Sequence, residues 1–141
     1  MFFGEFQYKI DEKGRVPIPP RFRRDLASGM VLAPGVEKCI TIYSIPEWKN
    51  LAENLQSNTL SGSKIRRLKR TLFATAFNLK MDSQGRVALP YALRQHAEIT
   101  DSAVVAGANN YLEIWNPDRW QEEKQISRES AWQTIESLER R

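Results

Sequence analysis

The sequence is poor in the side chains that most often bind metals or act as nucleophiles. Its 141 residues include one cysteine, Cys39, and one histidine, His96. A single thiol can neither close a disulfide within the chain nor form a cysteine-based zinc site. There is no second histidine to complete a zinc site or a histidine-activated nucleophile. We therefore predict no metal, no cofactor, no catalytic residues and no small-molecule substrate, and we expect that the protein is not an enzyme.

Long hydrophobic runs are also absent. The longest charge-free runs span residues 26–36 and 102–112, and both contain glycine and polar residues. They fall far short of the ~20 apolar residues that a membrane-spanning helix needs. The N-terminus carries the acidic Glu5 and lacks the basic segment and apolar stretch of a secretory signal. These absences predict a cytoplasmic protein without a membrane segment.

Acidic residues are outnumbered in the first 116 positions. These positions hold 16 basic and 11 acidic residues, whereas the remaining positions hold 5 basic and 6 acidic residues. Residues 13–24 are clearly basic, and residues 64–70 contain five positive charges and no acid. A polyanion is the natural partner for such a chain. The alternative is a solvated face that keeps the protein soluble.

The most informative feature that is present is an internal repeat at an offset of 71 residues. Residues 10–19 align with residues 81–90, and both segments contain the pattern Asp-x-x-Gly-Arg. Each copy predicts a strand, a tight turn, a strand, a short helix that starts at a proline, two further strands and a second helix. One copy of about 45 to 50 residues would bury only a marginal core. We therefore expect both copies to pack as one pseudo-twofold domain.

The repeat divides the chain into four parts. They are a first half-unit (1–56), a polar linker with a basic amphipathic helix (57–73), a second half-unit (74–125) and a tail that is helical or frayed (126–141). Ser61 or Ser63 is a candidate N-cap, and Ile65, Leu68 and Leu72 recur at helical spacing. The cations of this helix could face DNA, but we favour a solvated helix beside the core.

Two interpretations are open for the arginines of the Asp-x-x-Gly-Arg turns. In either one, the aspartate accepts backbone N–H bonds and the glycine adopts the positive φ of a tight reversal. The residues with these structural roles are Asp11, Gly14, Asp82 and Gly85. Arg15 and Arg86 either form salt bridges with the turn carboxylates or project from the hairpin tips towards phosphates and guanine edges.

Cations crowd the first turn in excess of the acids near it, which favours the nucleic-acid interpretation. The second copy is less basic, because Gln84 stands at the position of Lys13 and Ala92 at the position of Arg21. We expect it to contribute less charge. The candidate DNA-binding residues of both copies are Lys13, Arg15, Arg21, Arg23, Arg24, Arg86 and Arg94.

A set of motifs spread over about the first 120 residues carries a family resemblance. The motifs are Met1-Phe2-x-Gly4-Glu5, Asp11-x-Lys13-Gly14-Arg15-Val16-x-Ile18-Pro19, Tyr43-x-x-Pro46-x-Trp48, Asp82-x-Gln84-Gly85-Arg86-Val87 and Ile114-Trp115. Together they resemble the MraZ family of bacterial transcriptional regulators. Pro17 departs from the family pattern, and because it cannot donate a backbone hydrogen bond, we expect it at a sheet edge.

The resemblance implies an α+β fold, a pseudo-twofold swapped-hairpin β-barrel similar to the AbrB superfamily, built from two tandem half-units and flanked by helices. It implies closed ring homo-oligomers that bind repeated boxes of double-stranded DNA upstream of division and cell-wall genes, in the cytoplasm and at the nucleoid. It places DNA contacts on Lys13, Arg15 and Arg86. The alternative function is a non-catalytic oligomeric scaffold that binds acidic protein partners.

Overall fold

The computed structural model describes residues 1–56 and 62–139, and this part of the chain has an α+β architecture. The strands are β1 (Glu5–Lys9), β2 (Arg15–Pro17), β3 (Met30–Pro34), β4 (Ile40–Ser44), β5 (Phe77–Leu79), β6 (Arg86–Ala88), β7 (Ser102–Gly107) and β8 (Leu112–Trp115). The helices are α1 (Arg23–Leu26), α2 (Ile45–Gln56), α3 (Gly62–Phe73), α4 (Tyr91–Ala97) and α5 (Pro117–Glu139), and a 3-10 turn (Pro20–Phe22) precedes α1.

The order of elements repeats along the chain. The first copy runs β1, β2, α1, β3, β4 and α2, and the second copy runs β5, β6, α4, β7, β8 and α5, with α3 between them. This confirms the predicted order of two strands, a helix, two strands and a helix. Pro19 and Pro90 lie at the start of the first helical segment in each copy, where the fixed φ of proline suits a helix start.

The strands of the two copies pair with each other. β1 of the first copy pairs antiparallel with β7 of the second, and β5 of the second copy pairs antiparallel with β3 of the first. β4 pairs with β8 across the repeat, and β2 pairs with β6. The first hairpin strand of each copy therefore extends the sheet of the other copy.

The main sheet has six strands in the order β1-β7-β8-β4-β3-β5, and β2 and β6 form a separate two-stranded ribbon. In the ranges 1–56 and 62–139, no further strand pairs with the outer strands β1 and β5. The closed swapped-hairpin barrel therefore stays an interpretation. Pro17 lies in the ribbon opposite Arg86. Among the described residues, each of the two ribbon strands pairs only with the other, so Pro17 lies in an edge strand, as the sequence predicted.

One hydrophobic core joins the two copies. Val16 lies opposite Val87 in the ribbon, and both side chains are fully buried. Ile18 and Leu89 come directly after β2 and β6 and are also buried, which continues the alternation of inward side chains along the two strands. Burial of a side chain of this size contributes about 1.5–3 kcal/mol. Each copy therefore depends on side chains that the other copy supplies.

Two further helices, α3 and α5, contribute no fully buried residue to this core. In α3, Ile65, Leu68 and Leu72 are half-buried and the five cations are exposed. The candidate cap Ser61 and the linker residues 57–60 lie outside the described residues.

α5 continues without a break to Glu139, so the described part of residues 126–141 is helical. Within the described ranges, no helix is long and apolar enough to span a bilayer.

Candidate nucleic-acid interface

The two Asp-x-x-Gly-Arg turns have the same geometry in both copies. Oδ1 of Asp11 accepts hydrogen bonds from the backbone N–H groups of Lys13 and Arg15, each at 2.9 Å. Oδ1 of Asp82 accepts from the backbone of Gln84 at 2.9 Å and of Arg86 at 3.0 Å. Each carboxylate therefore holds its turn closed through two backbone donors, which is a common role of aspartate in tight turns.

The central glycine of each turn requires a backbone conformation that other residues rarely adopt. Gly14 has a φ of +75° and Gly85 a φ of +76°. Their backbone N–H groups donate to the carbonyls of Asp11 and Asp82 at 3.0 Å. A residue with a β-carbon is disfavoured at positive φ. The turn therefore requires glycine at this position, which explains why both copies of the sequence pattern contain it.

The backbone donors also stabilise the ionised form of the two aspartates. The N–H of Arg15 is the main cause that lowers the pKa of Asp11, and its guanidinium adds to the effect. The N–H and guanidinium of Arg86 lower the pKa of Asp82 in the same way. Both carboxylates are ionised at neutral pH and remain so to a lower pH than a free aspartate, so that each carries a negative charge beside the turn arginines.

Arg15 and Arg86 form ion pairs both within and between the turns. Nε of Arg15 lies 2.7 Å from Oδ2 of Asp11, and Nε of Arg86 lies 2.9 Å from Oδ2 of Asp82. Across the repeat, Nη1 of Arg15 lies 3.7 Å from Asp82, and Nη1 of Arg86 lies 3.9 Å from Asp11. The geometry thus contains the salt bridges of the first interpretation, while 27% of the Arg15 side chain and 28% of the Arg86 side chain stay exposed.

A second pair of arginines connects each helix to the turn of the other copy. Nε of Arg23 donates to the carbonyl of Ile18 at 2.8 Å, and its guanidinium lies against Gly85. Nε of Arg94 donates to the carbonyl of Leu89 at 3.0 Å. The guanidinium of Arg94 lies against Gly14, where an added β-carbon would be 3.0 Å from its Cζ atom. The two glycines therefore also leave room for a cation from the opposite copy.

The structure gathers four of the candidate cations around the junction of the two turns. Arg15, Arg23, Arg86 and Arg94 bring four positive charges to two aspartates, and we call these six residues the turn junction. Arg23 and Arg94 bond to neutral carbonyls, and neither forms an ion pair within the described ranges. The turn junction therefore has an excess of positive charge.

The remaining candidates have different surroundings. The guanidinium of Arg21 lies over the rings of Phe3 and Phe6, at 5.0 and 5.9 Å from their centres. Lys13 and Arg24 are exposed, and neither forms an ion pair with a residue that the structure describes. Of all the candidates, these two side chains are therefore the most available to a partner.

One cluster in the structure has no counterpart in the sequence-based predictions. Ligand-type atoms of Glu37, Cys39 and Glu113 lie within 4.8 Å of one another. Burial, with the nearby carboxylate of Glu113, raises the pKa of Cys39, and burial raises the pKa of Glu113 itself. The Cys39 thiol donates towards Oε2 of Glu113 at 3.8 Å. Because a protonated thiol is a poor metal ligand, we assign the cluster a structural role.

His96 also has a structural contact that sequence reasoning missed. It lies in the last turn of α4, and its Nε2 is 3.0 Å from the carbonyl oxygen of Gly35, in the connection between β3 and β4. No local pattern could reveal this contact, because the two residues are distant in the chain. The imidazole therefore connects a helix of the second copy to a loop of the first.

These features define a duplicated α+β protein in which two copies of a hairpin–helix unit exchange strands and join their arginine-bearing turns. A family model described as "MraZ protein, putative antitoxin-like" matches residues 1–71 and again residues 72–140. The chain belongs to the MraZ family, as the resemblance of its motifs indicated.

Curated relatives align along most or all of the chain. A protein of Dehalococcoides mccartyi named "Transcriptional regulator MraZ" is 56% identical over 140 residues, which cover 99% of each chain. A protein of the same name from a second strain of that species is 54% identical over the same length. One from Herpetosiphon aurantiacus is 44% identical over 121 residues, or 86% of this chain and 85% of the relative.

Proposed function

We propose that this protein is a transcriptional regulator that binds double-stranded DNA through the turn junction. The relatives named as transcriptional regulators support the regulatory role. The observation that carries the DNA-binding site is the pairing of β2 with β6. This pairing brings the two Asp-x-x-Gly-Arg turns together, so that Arg15 and Arg86 pair with both aspartates. Arg23 and Arg94 lie against the glycines of the same two turns.

The chemistry of the turn junction suits a phosphate backbone and base edges. Guanidinium groups present planar sets of N–H donors that match phosphate oxygens and the O6 and N7 atoms of guanine. Asp11 and Asp82 engage the Nε atoms of Arg15 and Arg86 and so restrict the orientation of both planes. Such restriction lowers the entropy lost when a ligand binds. Lys13 and Arg24 add exposed positive charge.

We also propose which residues bind DNA, how the copies of the protein assemble and where they bind. We propose that Lys13, Arg15, Arg21, Arg23, Arg24, Arg86 and Arg94 form the DNA-binding set. Several copies in a closed ring would place several turn junctions on repeated promoter boxes upstream of division and cell-wall genes. Linked sites gain affinity because each added contact forms at a high effective concentration. The proposed location is the cytoplasm, in association with the nucleoid.

The test compares two lysines that have equal charge and different locations. Binding to a fragment of the promoter upstream of the protein's own gene is measured by fluorescence anisotropy from 50 to 200 mM salt. Lys13→Gln removes an exposed cation next to the first turn, and Lys64→Gln removes an exposed cation from α3. We expect Lys13→Gln to reduce the slope of log affinity against log salt by about 0.9 for each engaged copy, and Lys64→Gln to leave it nearly unchanged.

Three outcomes would contradict the proposal. A binding constant that does not change with salt would exclude a phosphate-based interface. Equal effects of the two lysine variants would show that only net charge matters. Competition of an acidic protein with the promoter fragment, at the same salt dependence, would favour the scaffold alternative over sequence-specific DNA binding.

A further inference from the structure

An apolar groove lies beside the outer strand β5 of the main sheet. It has a volume of about 850 Å³, and its walls include Pro34, Val36, Phe77, Leu93 and His96, with Arg70 of α3 at its margin. Val36 is 98% exposed and Phe77 is 36% exposed. Apolar side chains that line a concave surface at such exposure are typical of a contact site.

The corresponding place in the first copy is filled by the chain's own N-terminus. Phe22 stands 71 positions before Leu93, and the ring of Phe2 packs on Phe22 at a centroid distance of 5.1 Å. Phe2 is only 4% exposed. Its backbone lies so close to Gly107 that an added β-carbon there would collide with it. A buried aromatic side chain therefore covers this site in one copy of the repeat.

In the second copy the equivalent aromatic residue points elsewhere. Phe73 stands 71 positions after Phe2, and it packs on Trp48 at a centroid distance of 5.0 Å. It is not among the residues that line the groove beside Leu93. The groove is thus the counterpart of a site that accepts an aromatic ring, and its own aromatic residue is engaged in another contact.

The free end of α5 presents exposed aromatic and aliphatic side chains that suit this apolar groove. Trp120 and Lys124 attach the start of the helix to Glu5, at 3.1 and 3.0 Å. Residues 125–139 are all exposed, and at 1.5 Å per residue they extend for about 22 Å. Trp132, Ile135 and Leu138 recur on one face of this segment and are 62%, 42% and 59% exposed. We call these three residues the α5 stripe.

A solvated helix of this kind gains stability from a partner. Isolated helices of ~15 residues are marginal in water, and large apolar side chains favour burial. The charges of the two surfaces are also complementary. The free segment 125–139 of α5 contains three acidic residues and one basic residue, whereas α3, which borders the groove, contains five basic residues and no acid.

We propose that the α5 stripe of one copy docks in the groove of a second copy of this chain, with Trp132 as the aromatic anchor. α5 is attached at Glu5 in β1 and the groove contains Phe77 of β5, and these strands are the two outer strands of the main sheet. Two different surfaces then meet, so the contact is head to tail and can be repeated until a ring closes. It rests on the self-assembly proposed above and is independent of DNA binding.

The first test measures assembly by sedimentation velocity over a range of protein concentrations. A stripe variant, Trp132→Ser with Leu138→Ser, and a groove variant, Val36→Glu, change exposed positions. Each should raise the midpoint concentration for assembly by more than about tenfold. Ile126→Ser is the matched control, because Ile126 is 61% exposed and lies on the face of α5 opposite Ile135. It should leave assembly unchanged, and thermal melts should be similar for all variants.

The second test mixes the two defective variants. The stripe variant retains an intact groove and the groove variant retains an intact stripe, so the mixture should form a heterodimer that neither variant forms alone. If α5 instead pairs with another α5, the groove variant will still assemble and mixing will restore nothing, which overturns the proposal. If the stripe variant assembles at the same concentration as the wild type, the docking proposal is also overturned, whereas the proposal of a ring is not. A wild-type chain that stays monomeric would overturn both, and anisotropy with the promoter fragment would still test DNA binding separately.

Discussion

Nη1 of Arg15, in the first copy, lies 3.7 Å from Oδ2 of Asp82, in the second copy. The reciprocal pair, Arg86 and Asp11, is separated by 3.9 Å. Each turn arginine therefore interacts with the carboxylate of its own turn and with that of the other turn. The arginines contribute to the packing of the two copies as well as to the charge of the turn junction.

Arg15→Ala and Arg15→Lys, compared with each other, separate these two contributions. The alanine variant loses the ion pairs to Asp11 and Asp82 and leaves both carboxylates without one of their two arginines. We expect a lower Tm than for Lys13→Ala, whose side chain is exposed and has no ion pair within the described ranges. Arg15→Lys retains the charge and loses the planar set of donors. We expect it to weaken DNA binding clearly and to lower the Tm less than Arg15→Ala does. Equal Tm values for the two alanine variants would show that the ion pairs add no stability.

Gly85→Ala tests the positive φ and the close approach of Arg23. An alanine at this position would adopt a disfavoured φ of +76° and would displace the Arg23 side chain. We expect a loss of roughly 1–3 kcal/mol in the free energy of unfolding, measured by urea denaturation. Gly62→Ala is the control, because Gly62 lies at the exposed start of α3, where only the flexible end of Arg66 is near. The two variants should not behave alike, and a stable Gly85→Ala would contradict the argument from strain.

Asp11→Asn combined with Asp82→Asn should change how the stability of the protein depends on pH in the acidic range. The folded protein holds the pKa of both aspartates below the ordinary value of 3.8. Their contribution to stability is therefore complete above about pH 4 and is lost as the pH falls through the lowered folded values. The double variant should be less stable than the wild type at pH 7, and the difference in Tm should shrink below pH 3.8. A difference that stays constant from pH 7 to pH 2 would contradict this origin.

Glu113→Gln should have the opposite dependence on pH. Burial raises the pKa of Glu113 above the ordinary value of 4.5, so the unfolded chain loses this proton at a lower pH than the folded chain. Wild-type stability therefore falls as the pH rises from 4.5 through the raised folded value. Glutamine keeps an oxygen that can accept the Trp115 N–H and has no charge to desolvate. Tm measurements at pH 4.5 and pH 8 should show a gain for the variant that appears only at the higher pH.

The repeated local structure could be predicted because its signals are local. An aspartate, a glycine and an arginine at fixed spacing determine the turn, and Pro19 and Pro90 occupy the N-cap positions of the helical segments. The periodic Ile65, Leu68 and Leu72 predict α3, and all three side chains are half-buried in the structure. Physical preferences of single residues and short periods are sufficient for these elements.

The partners of these elements could not be read from the residues alone. Alternating apolar residues predict that β1 is a strand, but they do not say that it pairs with β7 of the other copy, because many strands offer the same pattern. The contacts of Arg23 and Arg94 are also with distant parts of the chain, so the sequence predicts only that both arginines belong to a basic surface. In the structure they bond to the carbonyls of Ile18 and Leu89 and lie against glycines of the opposite copy.

The exchange of strands between the copies has a consequence for the order of synthesis and folding. β1 is the first strand to be translated, but its partner β7 ends at Gly107. During most of translation the nascent first copy therefore exposes unpaired strand edges, which are prone to association with other chains. The native sheet can be completed only late in translation, and its long-range pairing favours slow folding. A chain whose synthesis ends before β7 is made would have no partner for β1 and could not complete the native sheet.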